Sequence, residues 1–195
     1  MPEGKLPLDV GSVVMNVTSV ATLAAYCRTG MPLVEKCITV DGSAVKEPKN
    51  VIAPIGTACQ EVIDFAGGLS CKPGKLILGG PMMGVAQSDM NAPVAKGTSA
   101  ILVFNEKDAR PAAPTACIRC GGCVDHCPMK LMPTELYRAY EKRDAEALKA
   151  LKVGLCIECG CCAFQCPANL PLVQANKLAK GLVREYDARQ SSLKK

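Results

Sequence analysis

Between residues 36 and 78 apolar positions come in short bursts broken by glycine, proline and polar residues, the rhythm of strands and turns rather than of long helices. Lys36-Cys37-Ile38-Thr39-Val40 is β-rich and predicts a strand, with Asp41-Gly42 as a hairpin turn and Ser43-Ala44-Val45 as its return. Residues 50–55 predict another extended segment, Gly56-Thr57 a turn and cap, and residues 58–66 a helix that Gly67-Gly68 stops. One more strand is expected over residues 75–78. Upstream, residues 13–17 read as a strand, Thr18-Ser19 as a helix cap, and residues 21–26 as a short helix ended by Gly30.

The pattern changes in the second half. Pro133 opens a helix that carries Leu136, Tyr137 and Tyr140 at helical spacing, and Ala145, Leu148 and Leu151 continue the period on a second short helix. A third follows Pro171 with Leu172, Ala175, Ala179, Leu182, Val183 and Tyr186 on one stripe. Strands with short helices followed by helices alone predict an α+β chain: a small β-grasp-like domain over residues 1–106 and a helical domain over residues 107–195. The polar, proline- and alanine-rich residues 105–114 read as the linker between them.

At 195 residues and 49% hydrophobic, the chain has enough apolar material for packed cores. Its formal charge of +5 is spread along the whole length and only 4% of residues are aromatic, which argues against nucleic acid as a partner. The longest apolar runs, residues 75–78 and 100–104, are far too short for a membrane span, and the N-terminus MPEGKLPLDVG has no apolar core of a signal peptide. A soluble cytoplasmic chain is therefore expected. Thirteen cysteines without an export signal point to metal rather than to disulfides.

Eight of those cysteines form a repeat. Cys117-x2-Cys120-x2-Cys123-x3-Cys127-Pro128 is matched by Cys156-x2-Cys159-x2-Cys162-x3-Cys166-Pro167. Two-residue gaps let one tight loop turn three thiolates onto one four-iron cluster, and the longer step sends the fourth cysteine elsewhere. In two-cluster proteins that fourth sulfur serves the other cluster. The spacing thus predicts two [4Fe–4S] clusters, one on Cys117, Cys120, Cys123 and Cys166, the other on Cys156, Cys159, Cys162 and Cys127. Eight thiolates holding two such clusters would bring the net charge to about +1. Structural zinc is the competing reading, because Cys-x2-Cys pairs also build tetrahedral thiolate sites. Zinc leaves the third cysteine and the Cys-Pro of each copy unexplained. The helical stretch between the two copies favours an α-helical ferredoxin domain over the compact βαββαβ form.

Around this motif, Cys161 stands where the first copy has Gly122 and reads as a bystander beside a cluster. His126, the only histidine, reads as a partly exposed loop residue. In the first half, Cys27, Cys37, Cys59 and Cys71 read as small core residues. Leu78-Gly79-Gly80-Pro81-Met82-Met83-Gly84 lacks the second glycine of a dinucleotide loop and has no Walker lysine. Gly79, Gly80 and Gly84 would let a neighbouring backbone, a flavin or a partner approach closely, and a plain turn accounts for them equally well. No catalytic constellation is found.

Residues 14–26 (VMNVTSVATLAAY), 35–56 (EKCITVDGSAVKEPKNVIAPIG), 78–84 (LGGPMMG), 117–136 (CIRCGGCVDHCPMKLMPTEL) and 155–172 (LCIECGCCAFQCPANLPL) resemble the C subunit of the Rnf ion-translocating electron transport complex. The resemblance implies a soluble-ligand-binding β-grasp domain followed by a ferredoxin domain with two [4Fe–4S] clusters. It implies a subunit peripheral on the cytoplasmic face of the membrane, held there by the other subunits of an Rnf-type complex. Such a subunit relays electrons linked indirectly to ferredoxin and NAD(H) and coupled to ion translocation. Members of that family carry FMN and NADH on an upstream domain. This chain starts where that domain should be ending, so the resemblance implies a remnant of it at the N-terminus and a relay role without NADH oxidation by this chain alone. A cobalamin-reductase-like iron–sulfur flavoprotein shares the layout, and a zinc-stabilised interaction module is the reading from another class.

Overall fold

The computed structural model describes residues 4–193, and the chain divides into two compact units, Met1–Arg110 and Pro111–Lys195. In the first unit a 3₁₀ turn at Pro7–Val10 leads to helix α1 (Val17–Thr29), followed by strands β1 (Glu35–Asp41) and β2 (Lys49–Pro54) and helix α2 (Cys59–Phe65). Strands β3 (Pro73–Leu78), β4 (Val85–Gln87) and β5 (Ala100–Asn105) and the one-turn helix α3 (Glu106–Ala109) complete it. The five strands form one mixed sheet in the order β2-β1-β5-β3-β4. β1 and β5 run parallel at its centre, and the other pairs are antiparallel. This is an α+β unit in which the sheet grips α2.

Alternation in β1 explains the grip. Ile38 and Val40 are fully buried while Cys37 and Thr39 face outward. The inward face meets Cys59, Val62 and Ile63 of α2, with Val51, Leu76, Ile101 and Val103 from the neighbouring strands. Of the four lone cysteines, only Cys59 is buried; Cys27, Cys37 and Cys71 are exposed, contrary to the core role expected for them. For Cys37 the cause is strand parity: the inward positions of β1 belong to Ile38 and Val40.

Three other expectations are corrected. Residues 13–17 do not form a strand; they run unpaired into α1, whose N-cap is Asn16 rather than Thr18-Ser19, with Asn16 Oδ1 accepting from the Thr18 N–H at 2.9 Å. β-propensity without a bonding edge makes no strand. Gly30 ends α1 in the left-handed conformation, as the sequence suggests. Second, Asp41-Gly42 does not make a two-residue hairpin: β1 pairs with β2, reached through a longer turn. Gly42 is needed for another reason, since a Cβ there would lie 2.2 Å from the Val103 carbonyl oxygen of β5. Third, residues 105–109 belong to the first unit rather than to a linker. Asn105 caps α3 by accepting from the Asp108 N–H at 2.8 Å, and Glu106 and Ala109 press on Gly74 of β3. The central strand β5 was visible in the sequence only as an apolar run; burial on both faces gives it that continuous pattern.

The second unit is helical. One-turn helices α4 (Gly122–Asp125) and α7 (Cys161–Phe164) lie inside the two cysteine motifs. Between the motifs run α5 (Pro133–Glu141), α6 (Ala145–Ala150) and a 3₁₀ turn at Val153–Leu155, and α8 (Leu172–Leu193) follows the second. Leu136 of α5, Leu148 of α6, and Leu172 and Ala179 of α8 are fully buried, so the helical stripes read from the sequence are packing faces. α8 is held to α6 by Tyr186 Oη donating to Glu146 at 2.6 Å and by Lys149–Asp187 at 2.6 Å. Among the described residues no helix is long and apolar enough to cross a membrane.

Substituting Gly42→Ala should destabilise the first unit by about 1–3 kcal/mol, because the added methyl is driven into β5 backbone. Gly80→Ala, with nothing within 4 Å of the new Cβ, should change stability by no more than about 0.5 kcal/mol. Urea unfolding midpoints of the two variants measure both effects.

Candidate metal centre

The two motifs fold alike, residue for residue. Gly121 and Gly160 enter α4 and α7 with φ of 79° and 84°. Arg119 and Glu158, at equivalent positions, both take φ of 57°, and Lys130 and Asn169 take 53° and 52°. Non-glycine residues in this left-handed region cost about 1–2 kcal/mol each, so a strain present in both copies marks a shape that the loops must hold. Backbone bonds repeat as well: Cys127 N–H donates to Val124 and Cys166 N–H to Ala163, while Lys130 donates to Cys127 and Asn169 to Cys166. Each fourth cysteine thus sits at the exit of its one-turn helix, facing away from the three before it.

The two loops meet through α4 and α7, with a Cβ on Gly122 only 3.5 Å from the Gln165 side chain. As a result the thiols sort into two groups. Cys117, Cys120, Cys123 and Cys166 line a cavity of about 220 Å³ together with Thr134 and Arg138. Cys127, Cys156, Cys159 and Cys162 line a second, tighter cavity of about 20 Å³ with Pro133, Val173 and Asn176. Each cavity takes three thiols from one loop and the fourth from the other. Among the described residues no three Cys, His, Asp or Glu side chains come close enough to hold a single metal ion. Four soft sulfur donors on the wall of each cavity suit an iron–sulfur cluster.

The environment of these sulfurs is apolar and hydrogen-bonded. Cys123 and Cys162 are buried in a cluster with Leu172. Burial pushes the Cys162 thiol up to about 11, with neighbouring Cys156 adding to the rise. Burial also raises Cys123, against hydrogen bonds from Thr134 that lower it. Leu131 N–H donates to Cys127 Sγ at 3.3 Å and Asn176 Nδ2 to Cys156 Sγ at 3.8 Å. Asn176 is 1% exposed and its Oδ1 has no partner, an unmet bond that costs about 1–3 kcal/mol when buried. Lys180 of α8 donates to the Cys156 carbonyl at 2.6 Å and pairs with Glu158 at 2.7 Å, pinning the second loop to the long helix. Asn176 and Lys180 escaped sequence reading. The signal was there only as two polar residues on the buried side of an otherwise apolar stripe.

Other candidates fall outside the two cavities. Cys161 is on neither wall; its thiol bonds Cys159, and that bond with loss of hydration raises its pKa. His126 is exposed, its Nδ1 2.9 Å from the Gly122 carbonyl oxygen. In the first unit, Gly79 and Gly84 close the turn between β3 and β4 on each other: a Cβ on Gly79 would meet Gly84 Cα at 3.2 Å, and one on Gly84 would meet the Gly80 oxygen at 2.5 Å. Gly80 faces open space, and Met82 and Met83 beside it are exposed. That unit also has an open groove of about 1030 Å³ between α1 and the outward residues Cys37, Thr39 and Asn50.

Comparison with known proteins bears on both units. Residues 37–86 match the SLBB domain family and residues 112–167 match the 4Fe-4S dicluster domain family. The chain is 44% identical to the C subunit of the ion-translocating oxidoreductase complex of Rhodobacter capsulatus, over 97% of this chain and 36% of that one. It is 47% identical to the C subunit of the Na(+)-translocating ferredoxin:NAD(+) oxidoreductase complex of Acetobacterium woodii, over 70% of this chain and 31% of that one. The C subunit of the proton-translocating ferredoxin:NAD(+) oxidoreductase complex of Clostridium ljungdahlii is 45% identical over 70% of this chain and 30% of its own length. The chain thus spans about a third of the length of these relatives.

In the metal-free chain, alkylation followed by mass spectrometry should modify exposed Cys120 before buried Cys162. Equal rates at the two would mean that the cavities do not form without metal. Because the Cys162 pKa is raised from 9.0 to about 11, its protonated thiol stabilises the metal-free fold fully below pH 9, and that stabilisation is lost as pH rises through about 11. Thermal melts across that window should show the decline, and a Cys162→Ala variant should show less of it.

Proposed function

Because the chain belongs to the family formed by the C subunits of ion-translocating oxidoreductase complexes, we propose that its second unit is an electron relay holding two [4Fe–4S] clusters within an Rnf-type complex. The observation that carries this reading is the pair of four-thiol cavities, each completed by a cysteine from the other loop. One site is held by Cys117, Cys120, Cys123 and Cys166, the other by Cys127, Cys156, Cys159 and Cys162. Bound there, each cluster supplies a one-electron couple of low potential. The chain supplies the rest. Its thiolates fix the two centres side by side, and the apolar cluster with Leu172 keeps water from the Cys123 and Cys162 sulfurs. Leu131, Thr134 and Asn176 offer them hydrogen bonds. Pro128 and Pro167 turn the chain away after each fourth ligand without contributing a donor.

In this reading the chain sits on the cytoplasmic side of the membrane, held by the other subunits, and exchanges electrons with ferredoxin and NAD(H) only through them. FMN and NADH are bound outside these two units. The β-grasp unit, with its exposed Met82 and Met83 beside Gly80, supplies a surface for a partner or for a flavin carried by one. The named relatives favour this complex over a cobalamin-reductase-like flavoprotein.

Anaerobic reconstitution should give about eight irons and about eight acid-labile sulfides per chain, with spin-coupled signals in the reduced state. About two zinc ions and no sulfide would sink the relay and leave a structural module. Cys166→Ser should disrupt the site of Cys117, Cys120 and Cys123 and spare the other. Loss of the Cys156 site instead would contradict the crossed ligation, and combining Cys166→Ser with Cys120→Ser should then cost no more iron than either alone if the crossing holds.

A further inference from the structure

The two sites are built by a repeat, yet the groups that touch their sulfurs are not repeated. In the first, Thr134 at the start of α5 hydrogen-bonds Cys123, the third cysteine of its loop. The equivalent position in the second copy is Val173, whose side chain has no donor to offer. There the bond comes from Asn176, one turn along α8, and it reaches Cys156, the first cysteine of its loop. The first-copy equivalent of Asn176 is Tyr137, whose hydroxyl bonds Glu141 instead.

We propose that Asn176 sets the reduction potential of the site formed by Cys127, Cys156, Cys159 and Cys162, through the N–H that it donates to the Cys156 sulfur. This rests on the two-cluster reading above. The residue is 1% exposed and lines the cavity, between the buried Ala175 and Ala179 on the same helix, so its amide has no path to solvent. Fold stability does not account for an amide here. Its Oδ1 is unpaired, and an apolar side chain of similar volume would fill the place without that unmet bond. What the amide does provide is a fixed dipole aimed at a sulfur in a low-dielectric site. One-electron reduction adds negative charge to the cluster and its sulfurs, with no bond made or broken and no proton required. A donor already in place stabilises the more negative state more than the other, which raises the potential. Asn176 is a positioning and tuning residue, and the two sites it distinguishes would accept an electron unequally.

The test is an EPR-monitored redox titration of the full chain with both sites loaded, comparing Asn176→Leu with the unsubstituted protein. One of the two couples should move to lower potential, changing the ratio of reduced to oxidised form at fixed potential by up to about tenfold, ~59 mV for one electron. Thr134→Val should move the other couple. Iron and sulfide should stay at about eight each in all three proteins. A wild-type chain that does not hold about eight irons removes the two-cluster reading itself. Full iron with both couples unmoved by Asn176→Leu overturns the Asn176 inference alone, and so does movement of the same couple by both substitutions. If Asn176→Leu loses iron, pulsed EPR of the unsubstituted chain carrying asparagine ¹⁵N-labelled only at the side-chain amide decides: a ¹⁵N coupling on the reduced signal that Thr134→Val leaves unmoved supports the bond, and none on that signal overturns it.

Discussion

Crossed sharing of thiols between two loops is the constraint on which the second unit depends. A loop that gives three cysteines to one cavity and its fourth to the other cannot move independently of its partner loop. The consequences are visible in the backbone. Both loops hold the same left-handed residues at equivalent positions, and both keep their internal helices to a single turn. The 28 residues between Cys127 and Cys156 must leave and return to nearly the same place, and the contacting helices α5 and α6 do this while burying Leu136 and Leu148. α8 then closes the unit, meeting both α5 and α6 and pinning the second loop through Lys180.

Geometry repeats across the two sites while electrostatics do not. Glu158, in the second loop, is neutralised by Lys180, which holds its carboxyl below the usual range. The equivalent residue in the first loop is Arg119, which lines the first cavity, whereas Glu158 is paired with Lys180 and lies outside the wall of the second. Hydrogen-bond donors arrive from different helices and reach different sulfurs. A duplicated motif thereby builds two loops of the same backbone course around cavities of unlike size and unlike hydrogen bonding.

The first unit follows a simpler logic. A mixed sheet can pack one face on a core and leave the other toward solvent. α2 covers one with a fully apolar core. The other face borders an open groove whose far side is α1, a helix that buries none of its residues and leaves Val17, Val20, Leu23 and Tyr26 exposed. Glycines serve the backbone here rather than a nucleotide. Gly42 lets the turn after β1 pass over β5, and Gly79 with Gly84 lets the β3–β4 turn fold on itself.

Local chemistry was legible in the sequence because it depends on spacing along the chain. The Cys-x2-Cys-x2-Cys-x3-Cys-Pro repeat, the helical stripes around Leu136, Leu148 and Leu172, and the stop at Gly30 each involve neighbours within a few residues. Position in the sheet was not, because strand pairing joins residues far apart: Thr39 meets Ala100, so β5 became the centre of the sheet and Gly42 a contact rather than a hairpin turn. Burial of single residues was equally hidden. Cys37 and Cys59 look alike in the sequence, yet strand parity exposes one and the helix face buries the other. Spacing alone singled out the eight cysteines that line the two cavities. Only the tertiary packing of α8 decided that Asn176 would meet Cys156 and Lys180 its carbonyl, since a hydrogen bond across 20 or more residues exists only once the helix is docked.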